Sequence, residues 1–257
     1  MSAVVLMYHG VGAPAPHGEP HYTFAEEQLH RHLHLLRGRV ASLQDLLQGR
    51  ARDGQVVLTF DDGEQSVARL ALPLMQRHQM TGTVFVTTGW IDSPGYLTAG
   101  EVEQLDRAGW IIGTHGVTHR FLSDLPDDEL RRELTDSRDT LTRLLGHPPL
   151  DISLPGGRED RRVLRQVQDA GYRSLSTSSV GGNRLPLGDP YRIRRTMMIR
   201  AFDEATVGRI VDGDRGFYLT LQARQGALGL AKRAMGNQRY ERVRGLAFSA
   251  LQRLRRR

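Results

Sequence analysis

The order of elements along this chain of 257 residues predicts an α/β protein built as a parallel (β/α) barrel, distorted or incomplete. Three observations carry that expectation. Short apolar runs alternate with helix-patterned segments along most of the chain. Two of those runs, Val56-Val57-Leu58-Thr59-Phe60 and Trp110-Ile111-Ile112-Gly113-Thr114, lead directly into chemistry-bearing residues, as strands do when a barrel gathers its ligands at one rim. The length also suits one large domain or one barrel, which runs to about 200–250 residues.

Taken in order, Val4-Val5-Leu6-Met7-Tyr8 reads as an apolar strand that starts almost at the first residue. Residues 13–21, rich in Pro, Gly and His, form a loop. A helix is expected over 24–38, then a short strand at Val40-Ala41-Ser42-Leu43. The second long strand is 56–60, with a helix at 66–78 and a strand at 82–87. Thr98 opens the next helix with Glu101 three residues on, the spacing of a capping box. A strand follows at 110–115 and a long charged helix at 126–145. Further strands are expected at 152–154, 172–176 and 191–195, and no internal repeat is visible.

Composition excludes several classes. Cysteine is absent, so disulfides and thiolate metal sites are ruled out. No apolar run approaches the ~18 residues that would span a bilayer. Met1-Ser2-Ala3 runs straight into the first strand without the basic n-region and cleavage site of a secretory leader, so the expected location is cytoplasmic.

The chemistry concentrates in two strings. Thr59-Phe60-Asp61-Asp62-Gly63 places two carboxylates at a strand end closed by a turn glycine, and His115-Gly116-Val117-Thr118-His119 places two imidazoles after another strand. Two His and one carboxylate leave coordination positions open for a water and a substrate oxygen on a divalent metal. A bound ion lowers the pKa of its water from ~15.7 towards ~7 and polarises the carbonyl under attack. The expected ligands are Asp62, His115 and His119, with Asp61 left over as general base. Asp-Asp-Gly alone is an ordinary turn, and a lone His-x-x-x-His is equally weak. Their conjunction at the ends of matching strands is what points to metal-assisted hydrolysis.

These residues resemble the polysaccharide deacetylases of the NodB-homology type, carbohydrate esterase family 4. The first string matches that family's first motif in full. The second matches His-(Ser/Thr)-x-x-His, except that Gly116 replaces the hydroxyl residue. In order and spacing the resemblance covers roughly residues 3–200. It implies a barrel of the NodB-homology type and a divalent metal ion, zinc by expectation.

The chain departs from the remaining motifs. Where the family has Arg-x-Pro-x-Gly, this chain has Ser153-Leu154-Pro155-Gly156-Gly157. The family's arginine steadies the catalytic carboxylate, and Arg158, Arg192 and Arg194 are the candidates to replace it. The backbone N–H of Gly156 can still serve an oxyanion, since such donors need no side chain. Pro155 and Trp90 are candidate substrate contacts. The family's late histidine is also missing, for no histidine follows His147. The first strand, however, ends in Tyr8-His9. The branch that resembles the poly-N-acetylglucosamine deacetylases carries its last motif permuted to such a position, because barrel closure can set a first strand beside a last one. His9 is therefore the expected general acid.

Three other features carry weaker signals. His30, His32 and His34 include an i, i+4 pair, but Leu29, Leu33 and Leu36 supply that helix's apolar stripe, which leaves the histidines on its flanks or in solvent. His17 and His21 sit in a loop that can border the cleft. From Arg224 onward the chain is strongly basic with Glu241 its only acid, and Tyr240, Val243, Leu246, Ala247, Ala250, Leu251 and Leu254 fall at helical spacing. A basic amphipathic helix suits an anionic membrane surface or a partner, and equally a terminal helix packed on the barrel. No nucleic-acid reading motif accompanies the charge.

The expected organisation is a catalytic barrel over residues 1–215 and a basic helical tail over 216–257. The expected activity is removal of N-acetyl groups, with acetate release, from an amino-sugar-containing glycan or glycolipid. A cytoplasmic enzyme, at the inner membrane surface if the tail binds there, would favour a nucleotide-linked or lipid-linked carbohydrate. The alternatives are a deformylase acting on a lipid-linked amino sugar and a non-catalytic carbohydrate-binding protein that has kept its metal site.

Overall fold

Strand β1 (Ser2–Tyr8) is almost entirely buried and runs parallel to the equally buried β2 (Val56–Phe60), in a register from Val4↔Val56 to Tyr8↔Phe60. The structure is a computed structural model that describes residues 1–235. Between these strands lie α1 (Glu26–Leu35) and the short α2 (Leu43–Leu47). The chain continues through α3 (Leu72–Arg77), β3 (Thr83–Val86), α4 (Ala99–Arg107), β4 (Ile111–Thr114), α5 (Asp127–Leu145), β5 (Asp151–Ser153), α6 (Arg161–Asp169) and β6 (Ser174–Ser176). Two-residue strands β7 (Asn183–Arg184) and β8 (Thr196–Met197) precede α7 (Glu204–Val211). These elements lie in one compact unit, Met1–Asp214; helix α8 (Arg215–Met235) belongs to a second.

The sheet order is β6-β5-β4-β3-β2-β1-β7, with β8 also paired to β1. Neighbours from β1 to β6 are parallel throughout. The two edges of this curled sheet are then joined. Ile193 bridges Ser176 at the end of β6, and three residues later Thr196 and Met197 pair with Leu6 and Met7 of β1. First and last strands are therefore neighbours. The barrel is distorted because its closing strand is so short and because β7 adds an antiparallel pair at Ser2 and Ala3.

Successive strand residues face opposite sides, and two cores result. Val5, Val57, Phe85 and Ile193 pack with Leu43 and Leu46 of α2. On the other side of the sheet, Ile152, Leu154 and Leu175 pack against Leu130 and Leu134 of α5 and Val163 and Val167 of α6. Ser153, between Ile152 and Leu154, thus faces the barrel interior.

Several expected elements are displaced for identifiable reasons. Only Val40 of the expected 40–43 strand pairs with β2; Ser42 instead caps α2, accepting from the Asp45 N–H while the Asp45 carboxylate takes the Ser42 N–H. The expected 191–195 strand is a short helical turn at Pro190–Arg192, and pairing begins only at Ile193. Ahead of α3 a π-helical turn spans Val67–Ala71, where Pro73 offers no N–H to the preceding turn. The Thr98–Glu101 capping box forms as expected. His32 is fully buried with its Nδ1 3.2 Å from the Tyr8 hydroxyl, a correction to its expected place on the helix flank. The apolar residues expected to form a tail helix from Tyr240 onward lie outside the described residues. Among the described residues no helix is long and apolar enough to cross a membrane.

Candidate active site

The strand ends of β2, β4 and β5 deliver the site. Asp61 follows β2 directly, its amide bonded to the Tyr8 carbonyl at 3.0 Å. Asp62 and Gly63 both take left-handed backbone, with φ of 74° and 80°. Aspartate tolerates that region better than most residues, and the turn brings two adjacent carboxylates to one side of the chain. His115 follows β4, and His119 closes its loop, also left-handed at φ 59°.

Asp62, His115 and His119 offer ligand atoms that all lie within 4.8 Å of one another, the only such group of three among the described residues. Asp62 Oδ1 is 3.2 Å from His119 Nε2 and 3.5 Å from His115 Nε2. Two atoms that each sit about 2.1 Å from a tetrahedral ion are about 3.4 Å apart, so the spacing suits a metal such as zinc. His115 Nδ1 lies 2.8 Å from the Ser153 carbonyl, which fixes that nitrogen as the donor and leaves Nε2 facing the site with its lone pair. Asp62 Oδ1 is buried against the two imidazole Nε2 nitrogens, as befits a ligand atom. Burial raises the Asp62 pKa, but the hydrogen bond from His119 and the charges of His9, His119 and His115 outweigh it and leave it well below the usual carboxylate range. Burial takes His115 down to about 4, so its ring is neutral and able to ligate at physiological pH.

Asp61 is held differently. Arg195, fully buried, grips it with two parallel bonds, Nη1 to Oδ1 at 2.6 Å and Nη2 to Oδ2 at 2.8 Å. Its other donors reach the Thr177 carbonyl (2.9 Å), the Thr59 hydroxyl (3.2 Å) and the Ser153 hydroxyl (2.6 Å). That satisfies all of a guanidinium's N–H groups. Ser153 in turn donates to Asp61 Oδ2 at 3.1 Å. Burial pushes the Asp61 pKa up, while Arg195, the His115 charge and the guanidinium hydrogen bond pull it further down, so it stays ionised.

The arginine absent at position 153 is thus supplied from position 195, not from the three candidates named from sequence. Arg158 stacks over the Phe121 ring at 3.6 Å, exposed Arg192 faces Asp189, and the Arg194 backbone bonds to Asn183. Ile193 marks the inward parity of that segment, and Arg195 lies two residues on.

The remaining expected residues surround this core. His9 stacks on Tyr22 with ring centroids 4.9 Å apart, and its charge reaches both Asp61 and Asp62. Trp90 lies against His119 (5.0 Å), with Tyr96 and His17 on its other contacts (4.7 and 5.1 Å). Pro155 is buried, and Gly156 sits on the exposed turn after β5, where a Cβ would fall 2.5 Å from the Phe121 ring. Glu64, not singled out from sequence, is buried behind Gly10 and Gly18; burial and then the Asp62 charge push its pKa up to about 7.

The chain is similar to several known proteins. A family model described as polysaccharide deacetylase matches residues 48–175. The Bacillus subtilis protein YxkH is 24% identical over 183 residues, covering 69% of this chain and 64% of that one. The Bacillus subtilis peptidoglycan-N-acetylmuramic acid deacetylase PdaA is 26% identical over 129 residues, covering 49% and 48%. The chain thus spans less than two thirds of the length of these curated relatives. Among solved structures, the Streptococcus pyogenes deacetylase PplD in complex with acetate superposes with a TM-score of 0.73 at 20% identity, covering 82% of this chain and 98% of that one. The chain belongs to the polysaccharide deacetylase family.

Proposed function

We propose that this protein is a metal-dependent amide hydrolase that removes N-acetyl groups from an amino-sugar-containing glycan or glycolipid and releases acetate. The observation that carries the reading is the pairing of Asp61 with buried Arg195 beside the Asp62–His115–His119 cluster. A protein that only bound carbohydrate through a retained metal would have no need of an ionised carboxylate so fully anchored beside it. The family membership and the deacetylase names of PdaA and PplD support the same reaction class.

In this reading Asp62, His115 and His119 hold a divalent ion, zinc by preference for two imidazoles and a carboxylate. When bound, such an ion acidifies water and polarises an amide carbonyl. Asp61 takes the proton of the water that attacks the acyl carbon. The Gly156 N–H faces the developing oxyanion. His9 gives a proton to the sugar nitrogen as the carbon–nitrogen bond breaks, so acetate and a free amine leave together. Trp90 supplies an aromatic wall for a sugar ring, and Pro155 shapes the turn opposite. The position of His9 directly after β1, which pairs with the closing strand β8, supports a relation to the poly-N-acetylglucosamine deacetylase-like branch.

The test is acetate and formate release from a panel of N-acylated amino sugars, free, polymeric and lipid-linked, by chelated and zinc-reloaded protein. Acetate that appears only after reloading supports the proposal. Formate without acetate would replace it with deformylation, and no acid from any member would return the protein to a binding role.

A further inference from the structure

The segment between the two histidine ligands is tied down from both sides. On one side, the Thr88 N–H donates to the Gly116 carbonyl at 3.0 Å and the Gly89 N–H to the Val117 carbonyl at 2.9 Å. That approach needs glycine, since a Cβ on Gly89 would fall 2.5 Å from the Val117 oxygen. On the other side stands a single side chain, Glu133, from the middle of α5.

Glu133 is almost completely buried, and its carboxylate serves only this loop. Oε2 accepts the Val117 N–H at 2.6 Å and the Thr118 N–H at 3.0 Å, and Oε1 accepts the Thr118 hydroxyl. Gly116, left-handed at φ 77°, leaves room for it: a Cβ there would come within 2.9 Å of Oε2. The bonds are charge-assisted and shielded from water, which makes them stronger than neutral ones. Immediately after the last of them comes His119, a ligand held in left-handed backbone that a free loop would abandon.

We propose that Glu133 is the positioning residue of the metal centre, its carboxylate setting the 116–118 loop so that His119 meets Asp62 and His115. The glycine at 116 and the glutamate on α5 act together: the loop gives up a side chain of its own and takes its anchor from the neighbouring helix. This rests on the reading of Asp62, His115 and His119 as metal ligands.

The test measures Zn²⁺ affinity by competition with a chromophoric chelator, and records the visible absorption of the Co²⁺-loaded protein. The variants are Glu133→Gln, Thr118→Val and His119→Ala. Glu133→Gln should weaken Zn²⁺ binding about 10- to 100-fold, the usual effect of losing a group that orients a ligand, and alter the Co²⁺ spectrum. Thr118→Val removes one of the three bonds without disturbing α5 and should weaken binding by about 2- to 10-fold. If Glu133→Gln fails to fold, Thr118→Val carries the test. Unchanged Zn²⁺ affinity and Co²⁺ spectrum in the folded variants, with binding lost in His119→Ala, overturns the role of Glu133 and leaves the metal site standing. A wild type that binds neither ion overturns both.

Discussion

The two adjacent aspartates sit in opposite kinds of environment. Asp61 is closed: both its oxygens are bonded, and the arginine that holds it has every donor satisfied by Asp61, Thr177, Thr59 and Ser153. Asp62 is open: its Oδ1 is buried, and its neighbours are two imidazole nitrogens at the spacing of ligands. One residue step along the chain separates a carboxylate whose partners are all supplied by the protein from a carboxylate left to be completed by something bound. The left-handed turn at Asp62 makes the division possible, because on a continuing strand the two carboxylates would have faced opposite sides.

The comparison can be broken from either end. The largest effect is expected on the open side: His119→Ala should lose metal and bring acid release to background, as chelation of the wild-type protein should. Metal analysis beside an activity assay checks it.

On the closed side, Arg195→Met leaves the Asp61 carboxylate buried without its partner. Breaking a buried pair in this way costs about 3–5 kcal/mol. Denaturant unfolding should show a loss of that size, together with lost turnover.

Ser153→Ala is milder. It strands one Arg195 N–H and removes a donor to Asp61, at a cost of about 1–3 kcal/mol. Retained zinc with a reduced kcat would separate the closed half of the site from the open one.

The smallest effect lies away from both aspartates. Burial lowers His32 to about 4, below its unfolded value near 6.5, so the unfolded state binds more protons between those values. His32 therefore contributes a loss of stability as pH falls from about 6.5 to about 4, on the order of 3 kcal/mol at most. The difference in Tm between pH 7 and pH 5 should be smaller for His32→Leu than for the wild type.

What was legible in the sequence was local. Apolar runs closed by turn residues identify β2 and β4, and the residues that follow them, Asp61, Asp62, His115 and His119, carry their chemistry in their types and spacing. The Thr98–Glu101 cap is legible for the same reason, since its partners are three residues apart. What escaped depends on pairing between distant segments. Arg195 reaches Asp61 across 134 positions, and only the barrel's closure through Ile193 and β8 brings them together. Glu133 lies on a helix whose charge pattern reads as a solvated face, and nothing local sets it apart from the acids around it. The 40–43 segment is the opposite case, with two local signals in competition: the Ser42–Asp45 cap outweighs four residues of strand propensity.

The most direct measurement is the pH dependence of kcat/KM for zinc-loaded wild type, Ser153→Ala and Arg195→Lys. Arg195 and Ser153 stabilise ionised Asp61, so weakening either should raise its pKa. The acid limb of the profile should then move to higher pH in both variants, further in Arg195→Lys, where a single ammonium replaces a two-pronged grip, with zinc content unchanged. An acid limb that stays in place in both folded, zinc-replete variants would contradict the assignment of Asp61 as a base tuned by Arg195 and Ser153.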